Sequence, residues 1–567
     1  MVSWPEHAVR GRHAMVVTDD PLASRVGEQI LKSGGNAVDA AVAVAFALAV
    51  VYPEAGNLGG GGFLLIRQSN GKTAFIDYRE VAPKKATAKM YLSPDGKLIP
   101  GASTVGYRAV GVPGTVAGMA LALHRYGTMT LARVMAPAIR LAKDGFPVSD
   151  RLAKDIAAGR KRLAQFPTSR RIFLRDGKLY KPGEVFRQPE LAATLQRISR
   201  KGPEDFYRGR TAHLLAAAMA RHGGLISLAD LRDYQAKMRR PLEATYHYGG
   251  HTWQVITSPP PSSGGVAIIE TLNILDTLPL VPVLARPEEA WDKAENVHYV
   301  AEAMRRAFAD RAAWLADPDF SHVPVRGLTS MAYAAKWRAG IGPSRATPSS
   351  AINPGDPKPY DRAAAAAWSV WSATRGYTTH FSIVDAAGNA VSNTYTINDF
   401  FGSGVTTAAG FLLNDEMDDF TTDPGHPNVL FHLLQSAANE VAPDKRPLSS
   451  MTPTLVVRDG ALSFVTGSPG GPRIISATLL TVLDWMRMGM SALEAIDAPR
   501  FHLQWMPDVL YVEPTMPDST VHQLLLRGYT IDARRWIGQV NAVAIDPATG
   551  DRLGVGDPRR GGVAEGY

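Results

Sequence analysis

The stretch from Gly376 to Asn398 constrains this chain most. Asp385-Ala386-Ala387-Gly388-Asn389 is a turn signal, with Gly388 able to take positive φ. It sits between two runs rich in β-branched, aromatic and hydroxyl residues, so a β-hairpin is expected. A turn centred on Ala387 places Thr378 opposite Thr396. Strand alternation then puts Thr394, Thr396 and Asn398 on one face beside Thr378. Two readings fit that pattern: a polar stripe facing solvent, or hydroxyls gathered for chemistry.

The chain has 567 residues, enough for one large or two closely packed domains. Hydrophobic residues make up 45% and charged residues 20%, as in an ordinary soluble protein. The net charge of +8 is dispersed. Its densest run, Arg160-Lys161-Arg162 with Arg170-Arg171, lacks the interleaved aromatics of a strand-binding groove, so no nucleic acid is expected. No cysteine is present, which excludes disulfides, thiolate nucleophiles and thiolate metal sites. Met1 to Met15 shows no apolar signal-peptide core, and the apolar run Ala40 to Tyr52 is too short to span a bilayer.

A strand is expected at Ala14–Thr18, a helix from Asp20-Pro21 to Lys32, and a buried Ala/Val-rich helix at Ala37–Val51. The Gly59–Gly62 run has a helix before it and a strand after it. That is the reverse of a phosphate-binding loop and reads as a tight helix-to-strand connection. Asn70-Gly71 joins Phe63–Arg67 to Ala74–Glu80 as a hairpin. Amphipathic helices are expected to about Arg125 and from Met129 to Asp144, followed by short helices and basic loops over 146–250. A strand at Thr252–Ile256 precedes a helix to Leu278, and a long helix covers Glu289–Leu315. From Thr347 to Tyr377 the pattern breaks, with the proline-rich Asn353–Pro359 at its centre; this is the most credible boundary, and it ends at Thr378. Beyond it come strands at Thr454–Arg458 and Ala461–Thr466, helices at Pro472–Met488 and Ser519–Arg527, and a hairpin of Asn541–Ile545 with Arg552–Val555. Strands clustered in the last third with helices flanking them predict a layered α+β fold.

A threonine hydroxyl needs a base to become a nucleophile. The chain holds no G-x-S-x-G elbow, H-E-x-x-H or P-loop pattern, and His380 alone reads as structural. Cutting the peptide bond before Thr378 frees that residue's own α-amine, whose pKa of about 7.7–8.0 suits proton abstraction near neutrality. Thr466-Gly467-Ser468-Pro469-Gly470-Gly471-Pro472 fits either an oxyanion hole or a plain strand-to-helix turn. Ser449-Ser450 offers donors for a carboxylate. The acidic cluster Asn414–Phe420 lacks a calcium-loop spacing and suits an ammonium group or solvent. Arg79 fits a salt bridge to Glu80 or a guanidinium fork for a carboxylate.

Together these motifs resemble the γ-glutamyltransferase (glutathione hydrolase) family. The resemblance is carried by Thr378–Ser382, Thr394–Asn398, Leu413–Phe420, Pro447–Met451 and Gly467–Gly471. Gly34–Ala40, the Gly59–Gly62 run, Arg79–Pro83 and Val112–Gly114 add to it in the N-terminal half. It implies an N-terminal-nucleophile hydrolase with a four-layer αββα sandwich. It further implies self-cleavage between Tyr377 and Thr378, giving fragments 1–377 and 378–567 that stay together as a heterodimer. By the same resemblance Thr378 is the nucleophile in cleavage and turnover, and Thr396 orients it. Gly470 and Gly471 form the oxyanion hole. Arg79, Ser449 and Ser450 hold the α-carboxylate of a γ-glutamyl group, and Asn398, Glu416 and Asp419 hold its α-amine. No metal or other cofactor is implied. The expected partners are glutathione or a related γ-glutamyl donor, and water or an amino-acid or peptide acceptor. The family suggests a periplasmic or secreted protein, with a cytoplasmic one also compatible. Leu430 stands where many bacterial members carry a lid tyrosine, and Ala363–Tyr377 is unusual for the family. The alternatives are an acylase of the same fold acting on another amide, such as a glutaryl cephalosporin, and an unprocessed amino-acid-binding homologue.

Overall fold

Strands Thr378–Val384 and Ala390–Thr396 pair antiparallel, with Thr378 opposite Thr396 as the turn register predicts. Gly388 takes φ +85°, and the Asp385 carboxylate accepts from the backbone of Ala387 and Asn389, which locks the turn. Every residue of both strands is buried, so the solvent-facing reading of the polar stripe fails. The computed structural model that shows this describes residues 7–282, 286–361, 377–423 and 426–567. The boundary segment is therefore seen only in part: a 3-10 turn at Ser349–Ala351 and a short helix at Lys358–Asp361. Ala363 to Gly376, with its unusual sequence, lies outside the described residues.

The hairpin is the middle of a seven-stranded sheet. Its order is Val563–Gly566, Met15–Thr18, Thr378–Val384, Ala390–Thr396, Gly61–Arg67, Thr73–Asp77 and Lys237–Arg239. A second seven-stranded sheet runs Ala8–Gly11, Arg552–Val555, Ala542–Ile545, Ala461–Thr466, Thr454–Arg458, His251–Thr257 and Leu242–Tyr248. The sheets pack face to face through Met15, Val17, Phe63, Leu65 and Phe75 against Ile256, Leu455, Val457, Val465 and Val543. On the outer face of the first sheet, Val16, Leu64, Ile66, Phe381 and Ile383 pack against helices Pro21–Lys32 and Ala37–Val51. On the outer face of the second, Val255, Val456 and Phe464 pack against helices Gly264–Leu275, Ala294–Trp314 and Arg473–Leu483. The result is the αββα sandwich that the resemblance implies.

The even-numbered hairpin residues face the second sheet, which explains how a polar stripe is buried. Ser382 Oγ donates to the Asn541 carbonyl at 2.9 Å and Ser392 Oγ to the Thr466 carbonyl at 2.8 Å. Each hydroxyl replaces its lost water with a hydrogen bond across the sandwich.

The Gly59–Gly62 connection is confirmed, and its composition has a steric cause. A Cβ on Gly59 would lie 2.1 Å from the Leu412 carbonyl oxygen, and one on Gly60 would lie 2.0 Å from that of Thr396. No side chain fits where these backbones cross.

Several boundaries move. The long helix begins at Ala294 after a 3-10 turn at Pro287–Asp292, and the helix after the proline cluster ends at Leu275. Arg79 lies two residues beyond the strand Thr73–Asp77. Ten of the nineteen strands among the described residues lie from Thr378 onward, as the expected clustering has it, and both sheets interleave them with strands from the N-terminal part of the chain. Leu242–Tyr248, within the stretch read as short helices and basic loops, is an edge strand with Glu243, Thr245 and His247 facing out.

Gly60→Ala should lower stability by about 1–3 kcal/mol, the usual cost of overpacking a buried site. Urea denaturation checks this; a value unchanged from wild type would contradict the close crossing.

Candidate active site

Thr378 sits at the open end of the central hairpin, 6% exposed. Its Oγ1 donates to Thr396 Oγ1 at 3.3 Å. Thr396 Oγ1 in turn donates to the carbonyl oxygen of Tyr377 at 2.8 Å and accepts from the Asn398 amide at 2.8 Å. One hydroxyl thus touches both the hydroxyl of Thr378 and the carbonyl of the peptide bond before it. The Tyr377 amide donates to the Asn398 carbonyl at 2.7 Å, which ties the two sides of the hairpin's open end. Asn398 takes φ +74°, a turn that lets its side-chain amide donate to the Asp415 carbonyl at 3.1 Å.

His380, two residues on, is fully buried. Nδ1 contacts Thr394 Oγ1 at 2.9 Å and Nε2 contacts Ser382 Oγ at 3.0 Å. Burial lowers its pKa to about 3. It is a neutral bridge between hydroxyls, as the structural reading expects. Asp19 anchors the same strand: it accepts from Thr379 Oγ1 at 2.7 Å and from Asn541 Nδ2 at 2.6 Å, and burial raises its pKa to about 6.

Nine of the ten predicted site residues line one recess of about 290 Å³ including its mouth: Arg79, Thr378, Thr396, Asn398, Glu416, Asp419, Ser449, Ser450 and Gly471. Gly470 lines the adjoining pocket. The two glycines adopt φ +134° and +60°, and a Cβ on Gly471 would lie 2.3 Å from the Phe431 ring. They precede helix Arg473–Leu483.

Arg79 is completely buried. Its guanidinium forms ion pairs with Glu416 and Asp419, and its Nε donates to the Pro447 carbonyl at 3.2 Å. Glu80 is 3.5 Å away, so the salt-bridge reading of Arg79 is realised together with a position inside the recess. Burial opposes the arginine's charge, but Glu416, Asp419 and Glu80 outweigh it and raise its pKa. Burial raises Glu416 and Asp419 in the opposite sense, toward protonation, while Arg79 holds them down. The Gly59 connection positions this cluster: Asn414 Nδ2 donates to the Gly59 and Gly111 carbonyls, and Asn414 Oδ1 accepts from the Glu416 amide.

Sequence reasoning missed two residues here. Arg311, buried on helix Ala294–Trp314, lines the recess. Its Nε donates to Ser263 Oγ at 2.9 Å and its Nη2 to Ser450 Oγ at 3.2 Å, while Nη1 has no hydrogen-bond partner among the described residues. Burial lowers its pKa to about 10. The signal was an arginine in an otherwise tightly buried helix face, hidden in a stretch rich in Arg and Glu. Asp418 accepts from Ser103 Oγ at 2.6 Å and from the Leu430 amide at 2.9 Å. It thereby holds the segment whose Phe431 and Leu433 wall the recess. Leu430 itself is buried.

Comparison with known proteins bears on the family and the fold. The gamma-glutamyltranspeptidase family pattern matches residues 23–567. A protein of Pseudomonas sp. strain A14 named glutathione hydrolase proenzyme is 46% identical, over 99% of this chain and 95% of its own length. The solved gamma-glutamyltranspeptidase of Helicobacter pylori is 44% identical, with a TM-score of 0.56, covering 59% of this chain and 94% of its own. The solved cephalosporin acylase of Bacillus halodurans has a TM-score of 0.85 at 28% identity, covering 100% of this chain and 99% of its own.

The depressed His380 pKa gives a stability prediction. The unfolded chain protonates this histidine below about 6.5 while the folded chain resists until about 3. Between those values the unfolded state binds more protons, so the His380 contribution to stability is lost as pH falls. The stability advantage of wild type over His380→Gln should therefore shrink from pH 7 to pH 4.5 in urea titrations. A gap independent of pH would contradict the buried neutral bridge.

Proposed function

Because this chain belongs to the gamma-glutamyltranspeptidase family, we propose that it is a self-processing γ-glutamyl hydrolase and transferase with Thr378 as nucleophile. The observation that carries the reading is the Thr396 hydroxyl, which bridges Thr378 Oγ1 and the Tyr377 carbonyl oxygen. In the intact chain this contact polarises the carbonyl while it orients the attacking hydroxyl. Attack of Thr378 Oγ on the Tyr377 carbonyl carbon moves the acyl group from nitrogen to oxygen, and water hydrolyses the ester. The products are fragments 1–377 and 378–567. Their interleaved strands in both sheets favour their staying together as a heterodimer.

The freed α-amine of Thr378 then serves as its base. The recess fits a zwitterion. Arg79 is neutralised by Glu416 and Asp419. A γ-glutamyl group exchanges these partners: its α-carboxylate takes Arg79 with Ser449 and Ser450, and its α-ammonium takes Glu416, Asp419 and the Asn398 side chain. Every charge is paired before and after, so binding avoids an isolated buried ion. Arg311 holds the Ser450 hydroxyl toward the carboxylate. Gly470 and Gly471 supply backbone N–H groups to the oxyanion as the γ-carbonyl becomes tetrahedral. The C–N bond breaks, the departing amine takes the threonine's proton, and water or an amino-acid or peptide acceptor resolves the γ-glutamyl ester. Glutathione is the expected donor, and the family resemblance implies a periplasmic or secreted setting. Among the described residues no helix is long and apolar enough to cross a membrane.

An acylase of this fold is the second reading, favoured by the likeness to the Bacillus halodurans protein. The paired clamp of two carboxylates and an arginine supports an amino-acid end over a glutaryl end, which carries no ammonium.

Thr378→Ala should remain one chain on a denaturing gel and show no hydrolysis of γ-glutamyl-p-nitroanilide; processing in that variant would remove Thr378 from the mechanism. Arg79→Lys should keep the chain folded and raise KM for the anilide more than tenfold, as lysine cannot replace a forked guanidinium. An unchanged KM would dissociate Arg79 from the substrate carboxylate. Faster cleavage of glutaryl-p-nitroanilide than of the γ-glutamyl compound would select the acylase reading.

A further inference from the structure

Asp19 is fully buried just beyond strand Met15–Thr18. Its carboxylate joins two segments that come from far along the chain. Oδ2 accepts from Thr379 Oγ1 at 2.7 Å and from the His380 backbone N–H at 3.4 Å, both on the strand that begins with Thr378. Oδ1 accepts from Gln539 Nε2 at 2.7 Å and from Asn541 Nδ2 at 2.6 Å, on the segment leading into strand Ala542–Ile545. Arg151 forms its salt bridges with Asp20, Glu54 and Asp155, and among the described residues none reaches Asp19. The Asp19 charge is met by neutral donors, which bind it only when they point at it. That makes the carboxylate a directional clamp, and a costly device if stability were its only use.

Gln539 carries the connection onward. Its backbone N–H donates to Ser468 Oγ at 2.9 Å, and Ser468 Oγ donates to the Pro469 carbonyl at 2.8 Å. The N–H occupies the hydroxyl oxygen as acceptor, which leaves the hydroxyl proton for the carbonyl. Gly538, at φ +72°, makes room for this contact, since a Cβ there would lie 2.5 Å from Ser468 Oγ. Among the described residues the cis peptide bonds are Pro260–Pro261 and Met506–Pro507, so the Pro469–Gly470 unit is trans and planar. Fixing its carbonyl oxygen therefore fixes the opposite direction of the Gly470 N–H. Asp19, Ser468 and Gln539 are all buried.

We propose that Asp19 is a positioning residue for acyl transfer: it braces the strand of Thr378 against the segment that, through Gln539 and Ser468, aims the Gly470 N–H. The inference rests on the γ-glutamyl transfer reading, which assigns that N–H to the oxyanion. The nucleophile and one oxyanion donor are then held in register by a single carboxylate. Asp19 acts through its neighbours, Thr379 on one side and Gln539 on the other. Its effect falls on the tetrahedral states that form and resolve the ester, and not on the clamp for the amino-acid end of the donor.

The test measures kcat and KM for γ-glutamyl-p-nitroanilide in Asp19→Ala, Ser468→Ala and the double variant, per mole of processed small fragment. Each single change should lower kcat about tenfold, below the roughly 10²-fold cost of losing an oxyanion donor outright. KM should stay within about twofold of wild type, as for an interaction made in the transition state. The double variant should be no slower than the slower single one, because both changes cut the same chain of contacts. Losses that multiply overturn the brace, as does an unchanged kcat or a rise in KM with kcat retained. Where Asp19→Ala does not fold, Gln539→Met takes its place in the cycle with the same expected outcomes, since it cuts the brace and leaves Asp19 its other donors. A wild type that does not hydrolyse the anilide instead overturns the underlying γ-glutamyl reading.

Discussion

The contact on which the site depends is the hydrogen bond between two threonine hydroxyls facing each other across a hairpin. It exists because the register is fixed at both ends. At the turn, Asp385 accepts from Ala387 and Asn389 and also from the Ala37 amide at the start of the buried helix, so the hairpin is fastened to the outer layer. At the open end, Tyr377 and Asn398 close the ladder through their backbones. A slip of one residue would turn every hydroxyl of the inner face toward the helices, where Phe381, Ile383 and Val391 now pack. Ser382 and Ser392 bond across to the second sheet, so the same register that aims Thr378 also satisfies polar atoms buried between the sheets.

From that fixed point the rest of the site is assembled by distant chain segments. Arg79 comes from a loop after an N-terminal hairpin, Glu416 and Asp419 from a 3-10 turn, Ser449 and Ser450 from a loop under helix Gly264–Leu275, and Gly471 from a helix entrance. Their shared electrostatics explain why the recess is small. A cluster of buried acids and a buried arginine is stable when the ions contact one another, and contact closes the space between them. On the proposed reading, a γ-glutamyl group exchanges these ion pairs for its own charges.

Much of this was legible in the sequence, and the reasons are local. Turn chemistry at Asp385–Asn389 and Asn70-Gly71 fixed two hairpins, because short-range backbone geometry depends on few residues. The Thr378–Thr396 pairing followed from the first of these. The roles suggested for Arg79, Ser449 and Glu416 came from family resemblance, since nothing near each residue in sequence says what it meets in space. Arg311 and Asp418 went unread for the same reason: one acts through Ser450, the other through the Leu430 amide, and both contacts span a long sequence separation. The edge strand Leu242–Tyr248 was missed although its alternating exposure is the pattern of a half-buried strand, because it lies in the stretch read as short helices and basic loops over 146–250.

The central claim is that Thr378, as the first residue of its own fragment, carries the acyl group. Rapid acid quenching of the protein during turnover of a γ-glutamyl donor, followed by mass spectrometry of the small fragment, tests it most directly. The account predicts a fragment running from Thr378 to Tyr567 that gains the mass of one γ-glutamyl group, located on Thr378. A fragment beginning elsewhere, or an active enzyme whose label sits on another residue, would contradict it.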